Sequence, residues 1–443
     1  MARNRSRHFA AISLAVALSG CAHYTPLPLS TAAPLAATLD TADQQAPLSV
    51  EQVVTLALAH NPDLKALRLQ RGIAGGQTTQ AGLLANPSLS GALLPLLSGA
   101  GSVPAWNLGI AQDIKSILTY KSRKRAALAS ERQVDAGVVW QEWQVAGQAR
   151  QIATDLIVGA RSRQSYLAAY QLLADRGAKL EGALAAHRVT LLTVAPDRVA
   201  LQAARSALDA LDQQQLALMH QLDALLGLAP DVIVPLARQP DLPPFDPEEV
   251  RGQIATLPDR RPDLAALRMG YAAADEQVRQ AIQSQFPDLI LGGSLSSDNA
   301  KVINGGPDIQ IGLPFFDRGQ GAIAVAGATR EQLHADYDAR LAAAVGTLSA
   351  LLRQYEQLCA QLARARRDLP AVRLSADRAQ AAFGASNLDE RSYLDLVTNR
   401  FAKEQEIMTL ELGLLDRQIA IQTLVGSGLP GLAPLQDAPA GAR

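Results

Sequence analysis

The side chains able to perform chemistry are few, and their spacing argues against most of what they could do. Six histidines (His8, His23, His60, His187, His220 and His334) show no spacing at which imidazoles converge on one metal ion. The four methionines do not cluster. No Gly-x-Ser-x-Gly elbow, phosphate-binding loop or paired-carboxylate cleft is present. Of the two cysteines, Cys359 falls inside a long helical pattern, where a small packed residue is a simpler role than a nucleophile. Cys21 differs, because it follows Leu18-Ser19-Gly20 at the end of an apolar run. Two carboxylates also stand out by position: Asp197 and Asp395 hold similar places 198 residues apart. The expectation is a protein that is not an enzyme, with no catalytic residue, no metal site and no cofactor.

The segment carrying Cys21 states a destination. Arg3, Arg5 and Arg7 precede an apolar stretch from Phe9 to Leu18, too short to span a bilayer and fitting a secretory signal. Its end resembles a bacterial lipoprotein signal, in which the cysteine thiol is acylated and becomes the mature N-terminus. The family's sorting rule implies the outer membrane, since Ala22 rather than aspartate follows. A Pro/Ala/Thr-rich tether without periodicity runs from Thr25 to Pro47.

The remaining elements are organised by a repeat. Asn61-Pro62-Asp63-Leu64-Lys65-Ala66-Leu67-Arg68 returns 200 positions on as Arg261-Pro262-Asp263-Leu264-Ala265-Ala266-Leu267-Arg268. Pro87-Ser88-Leu89 meets Pro287-Asp288-Leu289 at the same offset. A period this long is no solenoid; it is two copies of one large unit. The expected boundaries are a signal peptide over 1–20, a lipidated tether over 21–47 and a first repeat over 48–229. A linker over 230–250, a second repeat over 251–429 and a flexible tail over 430–443 follow.

In the first copy, Ser49 is placed to cap a helix reaching about His60, and a second helix runs from Pro62 to about Leu84. A β-hairpin over about 86–114 comes next, in two segments, Pro87–Leu97 and Pro104–Ile114. Trp106, Leu108 and Ile110 alternate there with Asn107, Gly109 and Ala111, as expected where one face meets lipid and the other water. A soluble hairpin has the same pattern. From about Ser122 to His187 the sequence is nearly unbroken helix, roughly 100 Å long. A turn over Thr190–Pro196 leads to a return helix, Asp197 to Gly227, with a leucine seam at 201, 208, 211, 218, 222 and 225. These two form a helical hairpin over about 119–228.

The second copy repeats the order: a β-hairpin over about 286–317 (segments Pro287–Ser297 and Pro307–Phe316), then a helical hairpin over about 319–425. In its second segment Ile309, Ile311, Leu313 and Phe315 alternate with Gln310 and Gly312, and Gly305-Gly306 is expected in the connecting loop. Pro370 interrupts the long helix, Gly384-Ala385-Ser386-Asn387 turns it, and Gly426-Ser427-Gly428 ends the return helix. Four strands cannot close a barrel, and an open edge facing lipid leaves its backbone groups unsatisfied. Three chains give twelve strands, an even number within the outer-membrane range, and a cyclic trimer is the simplest closed arrangement.

Lipoprotein signal, duplicated Pro-Asp-Leu motif, paired β-hairpins and paired helical hairpins together resemble the TolC-like outer-membrane factors of tripartite efflux systems, over about Leu48 to Leu429. The resemblance implies a mainly α fold with transmembrane β: a periplasmic α-barrel of coiled-coil hairpins below a 12-stranded β-barrel in a trimer. It implies a passive exit channel from periplasm to exterior. Its partners would be a periplasmic adaptor and an inner-membrane pump, often of the resistance-nodulation-division class. Family gates carry acidic rings. Ser392-Tyr393-Leu394-Asp395-Leu396 is similar to the family's Asp-Val-Leu-Asp-Ala, which places Asp395 at a gate position, with Asp197 as its repeat partner and Ser392 in place of a second acid. A solvated aspartate at a helix start is the competing role for both. Thr190, Thr193, Gly384, Ser386 and Asn387 lie at the turns where an adaptor would dock.

Composition agrees with this architecture. The 443 residues are 48 % hydrophobic but only 4 % aromatic, which fits long Ala/Leu-rich helices. A formal net charge of −1, with no strongly basic block beyond Lys121 to Arg125, gives nucleic-acid binding little support. The alternative is a periplasmic adaptor lipoprotein, which shares the lipid anchor but has one helical hairpin flanked by β-rich domains.

Overall fold

A computed structural model describes residues 24–39, 46–230 and 232–431. Two units are distinguished, Met1–Ala36 and Ala37–Arg443. In the first, Tyr24 to Ala36 is exposed chain without helix or strand. The signal peptide, Cys21 and most of the expected tail lie outside the described residues.

The second unit holds both repeats. α1 (Val50–His60) starts on a capping box: Ser49 accepts from the Gln52 amide, and the Gln52 side chain accepts from the Ser49 amide. Asn61 then serves two helices. Its Oδ1 accepts from Leu64 N at 2.8 Å, capping α2 (Pro62–Ala81), while its Nδ2 donates to the Leu225 carbonyl. The repeated motif is thus a helix-start device, but the copies differ. At the corresponding position Arg261 lies over the Trp140 ring at 4.9 Å and pairs with Asp263 at 2.7 Å.

β1 (Ser88–Leu94) and β2 (Ala105–Asp113) lead into α3 (Lys115–Ala185), which returns as α4 (Leu191–Leu226). A largely irregular linker passes Leu48, pairing with it through Leu236, and reaches α5 (Pro247–Gln253) and α6 (Leu257–Arg260). α7 (Pro262–Gln283), β3 (Leu289–Ser297), β4 (Ile303–Ile311), α8 (Gln320–Gly384) and α9 (Glu390–Val425) complete the second copy.

The core is built from small residues. Val50, Val53, Val54 and Ala57 of α1 meet Ala146, Ala149, Ile152 and Ala153 of α3, with Leu222, Leu225 and Leu226 of α4. Alanine on the facing stripe lets long helices approach closely, which explains the aromatic-poor composition. The corresponding cluster of the second copy is Val250, Leu257, Leu348, Leu352, Ile421 and Val425, branched residues without alanine. Arg150 is fully buried; it bonds Glu51 at 2.8 and 3.1 Å and the carbonyls of Ser427 and Gly428, joining α1, α3 and the end of α9.

Several element ends differ from the sequence expectation. α2 stops at Ala81 and α3 starts at Lys115. Pro196 and Pro370 lie inside α4 and α8 without ending them. β4 starts at Ile303 and ends at Ile311, so Gly305 and Gly306 are strand residues, not loop. Gly305 sits opposite Leu295, where it leaves room for that side chain. Pro307 is tolerated because β4 is an edge strand. The loop is the Asp298–Val302 turn, where the Asp298 Oδ1 accepts from the amides of Ala300 and Val302. Leu313 and Phe315 lie beyond the strand.

Candidate functional site

Two regions carry the features that matter, the sheet and the turns of the helical hairpins. The sheet runs β1-β2-β3-β4, antiparallel throughout. The two hairpins are therefore joined side by side, β2 to β3, within one chain. Residues opposite one another across an antiparallel pair share a face. Following the register from Leu89 gives one face with Leu89, Leu93, Trp106, Leu108, Ile110, Leu295, Leu291, Ile303, Ile309 and Ile311, on which Gln112 and Ser297 are the polar members. The opposite face carries Ser88, Ser90, Asn107, Gly109, Asp113, Ser294, Ser296, Asn304, Asp308 and Gln310, with Leu94 and Ile290 as its large apolar members. The apolar face is open: Leu89 is 74 % exposed and Ile303 66 %. Among the described residues no further strand pairs with the outer edge of β1 or β4.

At the opposite end of each long helix the chain reverses through one recurring motif. Arg188 N bonds Ala183 O at 2.8 Å and Asn387 N bonds Ala382 O at 2.8 Å, with His187 and Ser386 left-handed (φ 58° each). The ends of α4 and α9 repeat it with Gly227 and Gly426 in the left-handed place. All four are Schellman caps. The turn therefore spans Ala186–Thr190 rather than Thr190–Pro196. Thr190 is the residue before α4, its hydroxyl 3.1 Å from that of Thr193 in the first helical turn. Gly384 is the last residue of α8; Ser386 and Asn387 form the second reversal.

The two aspartates face different surroundings. Asp197 is buried, and Arg176 Nε donates to its Oδ1 at 2.5 Å. The same guanidinium bonds the Glu390 carbonyl at 3.0 Å and its carboxylate at 3.1 Å. It also lies 5.8 and 5.6 Å from the rings of Phe383 and Tyr393, which stack on each other at 4.8 Å. Arg176 thus ties all four long helices together near the turns. No sequence signal separated this arginine from the many on helix surfaces. Asp395 is exposed on α9, without an ion pair among the described residues. The aspartate that starts α9 is Asp389, which accepts from Ser392 N at 2.9 Å. Those hydrogen bonds hold its carboxyl below the usual range.

No group of three His, Cys, Asp or Glu among the described residues could hold a metal ion. Residues 254–427, most of the second repeat, match the family model described as outer membrane efflux protein. The match covers about two fifths of the chain and lies in its second half. Its fold is that of solved outer-membrane efflux channels. The CmeC outer membrane channel of Campylobacter jejuni superposes with a TM-score of 0.72 at 16 % identity, covering 92 % of this chain and 94 % of that one. VceC of Vibrio cholerae gives 0.69 at 18 %, covering 85 % and 96 %. The open-state MtrE channel of Neisseria gonorrhoeae gives 0.64 at 17 %, covering 92 % and 99 %. No curated protein matches this chain by sequence.

Proposed function

We propose that the chain is one third of a trimeric channel that passively conducts substrates from the periplasm to the exterior as the outer-membrane component of a tripartite efflux pump. The observation that carries this reading is the sheet: four strands, one face apolar except for Gln112 and Ser297, one mainly polar face and two outer edges. No helix among the described residues is long and apolar enough to cross a membrane; the strands are the crossing elements. A lipid-facing sheet must close, and edge-to-edge pairing of β4 with the next copy's β1 around three chains gives a ring whose polar face lines the pore. The family domain and the channel-like fold support the same assignment.

Within that reading, Cys21 is the lipid attachment site. Thr190, Thr193, Ser386 and Asn387, with Gly384 behind them, form the surface offered to a periplasmic adaptor, which passes substrate from an inner-membrane transporter. Asp395, exposed near its turn, is the gate carboxylate. Asp197, held by Arg176 inside the subunit, acts in the packing of the hairpins in this conformation. The adaptor alternative fits poorly with two helical hairpins joined to one continuous sheet.

The test is reconstitution. Purified protein in detergent should have the mass of three chains and insert discrete conductance steps into a planar bilayer. A water-soluble single chain with no conductance would end the proposal.

A further inference from the structure

Gln151, Asp155 and Asp416 meet on the seam between α3 and α9, the contact that joins the first helical hairpin to the second. Gln151 Nε2 lies 3.2 Å from both Asp155 carboxylate oxygens and 2.5 Å from Asp416 Oδ1. One side-chain amide therefore serves two half-buried carboxylates. The surrounding cations are committed elsewhere. Arg417 approaches Asp416, but its Nε donates to Gln354 of α8 at 2.9 Å. Arg161 of α3 pairs with Glu411, which Arg366 also holds. Arg150 is turned to Glu51. From α4, Gln215 reaches only the Asp155 backbone carbonyl, at 3.4 Å. Among the described residues neither carboxylate has a salt bridge, although the chain spends arginines freely on exposed acids.

We propose that this pair is a proton-operated clasp between the hairpins: a proton shared by Asp155 and Asp416 ties α3 to α9, and its release leaves two carboxylates repelling each other across the seam. The proton comes from and returns to the surrounding water. Nothing in this depends on conduction, because the seam lies within one chain.

Two perturbations set the working range. Burial, reinforced by the Asp416 charge, pushes Asp155 to about 6, and burial raises Asp416 as well. A carboxyl raised in the folded state binds its proton more tightly there than in the unfolded chain. Its stabilising contribution is full below the ordinary value near 3.8 and is lost as pH rises through about 6. The seam is therefore tighter at pH 5.5 than at pH 7.5.

Hydrogen exchange on the full-length protein in detergent tests this, with rates corrected for the intrinsic pH dependence of exchange. Peptides covering 148–158 and 412–420 should exchange several-fold more slowly at pH 5.5 than at pH 7.5. Asp155→Asn and Asp416→Asn, each placing a neutral amide where the protonated acid would be, should make both peptides slow at both pH values. Equal corrected protection in the wild type at the two pH values overturns the clasp. So does a wild-type pH dependence that survives in either variant; the two substitutions are independent, so one that folds suffices.

Discussion

His187 and Ser386 adopt φ 58° at the hairpin turns, a region in which a Cβ costs on the order of 1 kcal/mol. The equivalent ends of α4 and α9 use Gly227 and Gly426. Retaining strain at only one end of each hairpin fits a turn whose side chains face a partner. His187→Gly and Ser386→Gly should each raise the melting temperature, by the equivalent of roughly 0.5–1 kcal/mol; a lowered value would show that the side chains stabilise the turn. Gly426→Ala should do the opposite. Its Cβ would stand 2.2 Å from the Trp143 ring, in a left-handed backbone, and a loss of several kcal/mol should appear in denaturant unfolding. If Asp395 lines the proposed gate, Asp395→Ala should change cation block or conductance in a planar bilayer, because three exposed carboxylates around one axis would select cations. Unchanged block and conductance would remove Asp395 from that role.

Among the elements, α1 and the end of α9 depend on one another through Arg150. The guanidinium is fully buried, while its partner Glu51 remains 40 % exposed. Glu51→Ala would leave a buried charge with two carbonyl acceptors. Unfolding measurements should show a loss of about 2–4 kcal/mol, reduced from a fully buried pair because water reaches the carboxylate. A loss below about 1 kcal/mol would mean that the carbonyls alone satisfy the arginine. The sequence marked the helix start at Ser49 and the end at Gly426, since caps are local chemistry. It did not mark Arg150, because its partners, Glu51 and the carbonyls of Ser427 and Gly428, are far away in sequence and only folding brings them together.

For the molecule as a whole, the two sheet faces make the most direct prediction. Leu108 and Asn107 are neighbours in the middle of β2 and point to opposite faces. Leu108→Lys should cost about 2–4 kcal/mol of membrane-folded stability, as expected for a cation near the bilayer midplane. Asn107→Lys should fold almost normally and alter ion selectivity instead. Equal effects at the two positions, read by heat-modified electrophoretic mobility and by conductance, would contradict a lipid face and a pore face.

Duplication, helix caps, alternating strands and the Ala/Leu composition were legible from residues alone, because each rests on interactions within a few positions of the chain. Tertiary structure decided how far β4 extends, since its register is set by pairing with β3 across Gly305 and Pro307. It also decided that β2 joins β3, fusing the two copies into one sheet with β1 and β4 at its outer edges. The fates of the repeated aspartates were settled the same way: Asp197 lies within reach of an arginine from another helix and is neutralised there, while Asp395 stays exposed. Pairing between distant segments leaves no local mark in a sequence, and it is this pairing that separates two residues alike in type and place.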